Sequence, residues 1–146
     1  MKNQFHRRRS DKTLVLRIIL VVIVLAIFSA MGFFYFRIKS KGREILREAK
    51  NVNMALVSTE IERYAKGEKV YDPTKPDNLA DGVKDEVLGV AGATGDFSIV
   101  SFDSDRRRVR RLTYFNQGYY AIYDYDNDTG DHWTVSYLLP VIDFTE

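Results

Sequence analysis

The sequence contains no cysteine, only three prolines and only two histidines among its 146 residues. The lack of cysteine excludes disulfide bonds, thiolate metal sites and cysteine nucleophiles. Neither His6 nor His132 has a partner residue at a spacing that suits metal binding or acid–base chemistry. Charge is also missing from one long stretch, because no Asp, Glu, Lys or Arg lies between residues 18 and 36. These absences argue against an enzyme and exclude an ordinary soluble globular protein.

The uncharged stretch is IILVVIVLAIFSAMGFFYF, from Ile18 to Phe36. As a helix it would rise roughly 28 Å, close to the hydrocarbon thickness of a bilayer. Arg17 and Arg37 flank it and can extend their charges to the two interfaces. We predict an uncleaved, single-pass membrane anchor. A cleaved secretory signal with a small-residue site at Ala30 to Gly32 is the alternative, and a buried core helix is a more remote one.

Basic residues flank the apolar stretch on both sides in similar numbers, so the positive-inside rule favours neither orientation clearly. Residues 1–50 contain 12 Lys and Arg against 3 acidic residues, whereas residues 51–146 contain 10 against 17. The triplet Arg7-Arg8-Arg9 favours an N-terminus in the cytoplasm and a C-terminal domain outside.

The chain divides into five predicted segments. They are a basic tail (1–17), a transmembrane helix (18–36), an amphipathic helix (37–66), a loop with a short helix (67–96) and an antiparallel sheet (97–146). Helix formers dominate residues 37–66, and Gly67 is a suitable C-cap. The short helix is expected at about residues 78–91, capped by Asp77 or Asn78.

Two apolar stripes follow the helix of residues 37–66, and both are expected to form one broad face. They are Ile45, Ala49, Val52 and Leu56, and Met54, Val57, Ile61 and Tyr64.

From residue 97 the hydrophobic period changes from 3.6 to 2. Four short apolar runs, at 97–103, 109–115, 119–125 and 132–138, are separated by turn residues. Short connections of this kind predict a four-stranded antiparallel meander. Its inner face, with Ile99, Ile122, Trp133 and Val135 among its members, is expected to pack on the helix. The fold class is α+β, and Pro140 in the tail suits only an edge segment.

This order of elements resembles the bacterial type IV pilin and type II secretion pseudopilin superfamily. Locally, KTLVLRIILVVIVLAI (12–27) looks like the start of such a subunit, and REAKNVNMALVSTEIERYAKG (47–67) is similar to the second half of a pilin helix. The resemblance implies a long helix packed on an antiparallel sheet. The sequence differs from the family pattern at the processing motif, where Asp11, Lys12 and Leu16 replace the family's Gly, Phe and Glu. Cleavage by a prepilin peptidase is therefore not expected.

Two polar segments are candidate sites. Asp124, Asp126, Asp128 and Asp131 alternate with other residues, as oxygen ligands of Ca²⁺ do, although a solvated hairpin turn explains the same composition.

Arg106, Arg107, Arg108, Arg110 and Arg111 form a dense basic patch that suits an acidic partner or lipid headgroups. Alternatively, they form a basic rim balanced by Asp96, Asp103 and Asp105. No nucleic-acid recognition motif accompanies the arginines, and no small-molecule substrate is indicated.

A further candidate is the tyrosine-rich sheet, whose exposed members could form an interaction face; it contains Tyr119, Tyr120, Tyr123, Tyr125 and Tyr137.

Together with the predicted membrane anchor, the resemblance implies a pilin-like structural or interaction subunit of a pilus or secretion-type assembly. Its partners would be the lipid bilayer and other membrane or pilin-like subunits. The alternative is a membrane-tethered ligand-binding or Ca²⁺-binding module that forms no filament. No cofactor is expected apart from that possible calcium ion.

Overall fold

A computed structural model describes the backbone of residues 3–137 and 140–145, and the side chains of residues 13–137. The chain divides into two compact units, Met1–Arg37 and Ile38–Glu146. The first unit is helical from Asn3 to its end. The second contains the rest of that helix, a short second helix and a sheet.

The described elements are α1 (Asn3–Ala65), a 3-10 turn (Pro76–Asn78), α2 (Val83–Ala91), β1 (Asp96–Asp103), β2 (Arg108–Asn116), β3 (Tyr119–Asp126), β4 (Gly130–Ser136) and β5 (Pro140–Thr145). The strands form one sheet in the order β1-β2-β3-β4-β5, and every neighbouring pair is antiparallel. The predicted α+β class is confirmed, and β1 to β4 are the predicted meander. The tail adds β5 at the edge, where Pro140 at its first position removes no ladder bond from a central strand.

Helix α1 ends where a glycine allows the chain to reverse. Gly67 has a φ of 76°. This conformation lets the Gly67 amide donate to the Tyr64 carbonyl (2.9 Å) and the Glu68 amide donate to the Arg63 carbonyl (2.9 Å). Two such bonds satisfy carbonyls that the last turn would otherwise leave open.

Only one of the two predicted stripes of α1 faces the sheet. Its four members, Ile45, Ala49, Val52 and Leu56, are fully buried in the core of the second unit. The other stripe is exposed, so the single broad face was a wrong prediction: Met54 is 63% exposed, Val57 49%, Ile61 66% and Tyr64 65%. At 100° per residue the two stripes are centred about 130° apart around the helix, and the sheet covers only one of them.

Alternate residues of each strand form the inner face of the sheet, the face that packs on α1. In β3, Tyr119, Ala121 and Tyr123 are buried, whereas Ile122 lies on the other face, opposite Thr113 and Thr134. The prediction that Ile122 packs on the helix was therefore wrong, because successive side chains of a strand point to opposite faces. The other three predicted members, Ile99, Trp133 and Val135, are buried.

The short helix α2 begins at Val83, later than predicted. Asp77 and Asn78 have positive φ angles of 58° and 57° and lie in the preceding turn, so neither caps it. Gly82 is the N-cap, and Val83 and Val87 are buried. The Asn78 side chain instead donates to the Ile99 carbonyl (2.6 Å) and ties this turn to β1.

Candidate functional site

The first unit offers an exposed apolar helix surface. Every described side chain from Thr13 to Arg37 is exposed, although most of this stretch is apolar. Of the described helices, one is long and apolar enough to cross a membrane. The Arg37 guanidinium lies 5.9 Å from the centre of the Phe33 ring. A cation and an aromatic ring together suit a membrane–water interface.

In the second unit, an apolar surface follows α1 on the side away from the sheet. We call Met54, Val57, Ile61 and Tyr64 the exposed stripe. Such a run of large exposed side chains on a folded unit is typical of an interaction site.

A groove of about 540 Å³ adjoins the C-terminal end of this stripe. Tyr71 and Phe102 form a stacked pair in its wall, with ring centres 5.0 Å apart. The Arg107 guanidinium lies 3.3 Å from the centre of the Tyr64 ring. The Arg107 Nε also donates to the Glu60 carboxylate (3.0 Å). The end of α1 is thus held to the β1–β2 turn by an ion pair and a cation–π contact.

Each of the five predicted arginines contacts a polar or acidic side chain of the second unit. Arg106 donates to Asn127 (2.6 Å), Arg107 pairs with Glu60, Arg108 with Asp131 (3.1 Å), Arg110 with Asp103 (3.0 Å) and Arg111 with Asp124 (2.5 Å). Four positive charges are therefore matched within the fold. The arginines could contact a partner only through the faces of their guanidinium groups and through N–H groups that these contacts do not use.

The acidic residues that balance the arginines are mostly not the predicted ones. Of the three expected, Asp103 accepts from Arg110, while Asp96 pairs with Lys84. The backbone amide of Arg106 and the guanidinium of Arg110 lower the pKa of the Asp103 carboxyl. This carboxylate therefore organises the β1–β2 turn in its charged form.

Strand bulges place two of these arginines side by side. The β1–β2 register shifts around Ser101, so that Val109 and Leu112 are both buried while Arg110 and Arg111 between them are not. A bulge adds one residue to a strand and redirects the side chains next to it. Simple alternation along β2 does not predict this arrangement.

The four candidate calcium ligands do not converge. Asp124 lies opposite Arg111 and His132, whereas Asp131 lies opposite Tyr125, on the other face of the sheet. The Tyr123 hydroxyl donates to Asp131 (2.8 Å).

The remaining aspartates stand in the β3–β4 turn. The Asp126 carboxylate accepts from the Asp128 amide (2.7 Å), which makes it an Asx-type turn. Among the described side chains, no group of three or more His, Asp or Glu could hold a metal ion. The geometry favours the turn interpretation.

The tyrosines are divided between the two faces of the sheet. Tyr119 and Tyr123 are buried and Tyr125 is half-buried, with the Arg108 guanidinium 3.4 Å from its ring centre. Tyr120 is exposed and packs against Phe115 on the outer face, with ring centres 4.7 Å apart. Among the described side chains, the outer face presents this aromatic pair.

A buried polar cluster joins α1 to the sheet and has no counterpart in the predictions. The Tyr114 hydroxyl (2.6 Å) and the Asn116 amide (2.8 Å) both donate to the Glu48 carboxylate. The Gly95 amide donates to the Tyr114 hydroxyl (3.0 Å). Burial and the Glu48 carboxylate raise the pKa of Tyr114 to about 12. The sequence offered one signal for this cluster, namely that Glu48 stands next to Ala49, a member of the predicted buried stripe.

Comparison of the chain with protein-family models, curated proteins and solved structures finds no match.

Proposed function

We propose that this protein is a single-pass membrane-anchored, pilin-like subunit that acts as a structural or interaction component of a surface or secretion-type assembly. The observation that carries the proposal is the apolar stretch of the first unit, whose described side chains are all exposed. Burying such a surface in lipid removes on the order of 2,000 Å² of mostly apolar area from water, at about 25 cal/mol per Å². The second unit then serves as a folded head.

The head supports an interaction role through its surfaces. It presents the exposed stripe of α1, the aromatic groove beside Tyr71 and Phe102, and the Phe115–Tyr120 pair. Its arrangement of a helix against an antiparallel meander supports the pilin-like assignment. The flanking charges are nearly balanced, and the triplet Arg7-Arg8-Arg9 supports a cytoplasmic N-terminus and a head outside the cytoplasm.

Fractionation tests the anchor. The full chain with a C-terminal epitope is expected in the membrane pellet, where it should resist extraction by alkaline carbonate and dissolve in detergent. A matched variant with Val22→Lys and Leu25→Lys should move to the soluble or degraded fraction. Recovery of the intact native chain in the soluble fraction without detergent would overturn the proposal.

Protease accessibility tests the orientation. In intact cells stripped of any outer envelope, added protease should remove the C-terminal epitope. An epitope placed at the N-terminus should stay protected until the membrane is permeabilised. The opposite pattern would place the head in the cytoplasm. Electron microscopy of sheared surface material would then show whether the subunit enters a filament.

A further inference from the structure

The exposed stripe is the C-terminal half of a longer line on α1. The full line has spacings of 4, 3, 4, 3, 4 and 3, and we call it the α1 seam; its members are Arg43, Arg47, Lys50, Met54, Val57, Ile61 and Tyr64. These spacings are those of the a and d positions in a single heptad repeat that runs over three consecutive heptads. All seven residues belong to the second unit, and none is fully buried. One partner helix can follow such a line over its whole length.

The two halves of the α1 seam differ in chemistry. The half that contains Arg43 and Arg47 is basic, and both of these side chains are exposed. The other half is apolar from Met54 to Ile61 and ends at Tyr64, whose ring also contacts the Arg107 guanidinium. A complementary helix must therefore carry acidic side chains at one end of its contact line and apolar side chains at the other.

A second copy of the chain does not meet this requirement. A parallel copy in register would place Arg43 against Arg43 and Arg47 against Arg47, and like charges in contact are unfavourable. The helix of a second copy also offers few free carboxylates. Three of its four acidic residues between positions 38 and 65 already make contacts within their own chain. Glu44 pairs with Lys41 (2.9 Å), Glu48 accepts from Tyr114, and Glu60 holds Arg107.

We propose that the α1 seam binds one amphipathic helix of a different protein, with acidic side chains opposite Arg43 and Arg47 and apolar side chains opposite Val57 and Ile61. The proposal rests on the proposed function in that a subunit of an assembly needs a partner. It adds the chemistry of that partner. The apolar half supplies burial, and the basic half sets the register and excludes the in-register homodimer.

A binding experiment with designed helices tests this chemistry. The probes are fluorescent three-heptad peptides with Leu and Ile at the a and d positions of two heptads and Glu at those of a terminal heptad. The Glu heptad is placed first in one peptide and last in the other, to allow either helix direction. Matched peptides carry Lys in place of Glu. Fluorescence polarisation with the full chain in detergent micelles measures each dissociation constant.

One Glu peptide is expected to bind at least tenfold more tightly than its Lys counterpart. The double variant Arg43→Glu, Arg47→Glu should reverse this preference. Val57→Asp should abolish binding of both peptides, whereas Val90→Asp on α2, where the valine is also exposed, should leave binding unchanged. Equal affinities for the two peptides, or an unchanged affinity in Val57→Asp, would overturn the proposal.

Photo-crosslinking in cells identifies the natural occupant. A photoreactive amino acid replaces Ile61 in the full chain, and mass spectrometry sequences the adduct. An adduct to a heptad segment of another protein with an acidic end supports the proposal. An adduct to α1 of a second copy, an adduct to lipid alone, or no adduct overturns it. Carbonate extraction of the same sample separates this result from a failure of the membrane anchor.

Discussion

Replacing Tyr114 with Phe would remove a single oxygen from the interface between α1 and the sheet. The ring would still fill its fully buried site. The Glu48 carboxylate would lose its 2.6 Å hydrogen bond from the hydroxyl, and the Gly95 amide would lose its acceptor. A hydrogen bond to a charged group contributes about 1.5–3 kcal/mol, and an unsatisfied polar group adds to the loss. We expect the free energy of unfolding to fall by about 2–4 kcal/mol at pH 8.

The same tyrosine predicts an alkaline transition. Its pKa is raised to about 12 in the folded protein, above the ordinary value of 10.0. A raised pKa means that folding favours the protonated hydroxyl. The stabilisation is therefore complete below pH 10 and is lost as the pH rises through 12. Two pKa units correspond to about 2.7 kcal/mol. Burial and the Asp131 carboxylate raise the pKa of Tyr123 to about 12 as well, so it contributes in the same window.

The assay is urea unfolding of the full chain in detergent micelles, followed by near-UV circular dichroism between pH 7 and pH 12. Tyr114→Phe should start from a lower stability and then lose less of it above pH 10 than the native chain. The control is Tyr120→Phe, because Tyr120 is 53% exposed. An unchanged stability at pH 8, or an alkaline loss equal to that of the native chain, would refute the reasoning.

Three further predictions concern the second unit. Gly95→Ala should lower the free energy of unfolding by about 1–3 kcal/mol in the same urea assay, because its new Cβ would lie 2.4–2.5 Å from backbone and ring atoms; no loss would contradict the close approach. Leu112→Ala should cost about 2–5 kcal/mol, whereas Ile122→Thr should cost less than about 1 kcal/mol, since only the former is fully buried; equal losses would show that the strand parity is wrong. Millimolar Ca²⁺ should leave the melting temperature unchanged, because Asp124 and Asp131 pair with arginines on opposite faces of the sheet; a rise that Asp126→Asn removes would restore the calcium-site interpretation.

Local patterns in the sequence determined the candidate membrane stretch, the positions of the first four strands and the end of α1. Each depends on residues that are close in the chain. These are an uncharged stretch long enough to span a membrane as a helix, a hydrophobic period of two residues, and a glycine that follows the last helical turn. The exposure of the second stripe was within reach of the same reasoning. At 100° per residue, Val57 and Ile61 cannot share a side of the helix with Ile45 and Val52.

Tertiary structure alone decided which charged groups meet and which side of the sheet is covered. The pairs Arg107–Glu60 and Tyr114–Glu48 join residues 47 and 66 positions apart, and no local spacing encodes such distances. The bulges that place Arg110 and Arg111 together depend on the register between β1 and β2. A strand pattern indicates that two faces exist, but the helix packed on one of them determines which residues are buried.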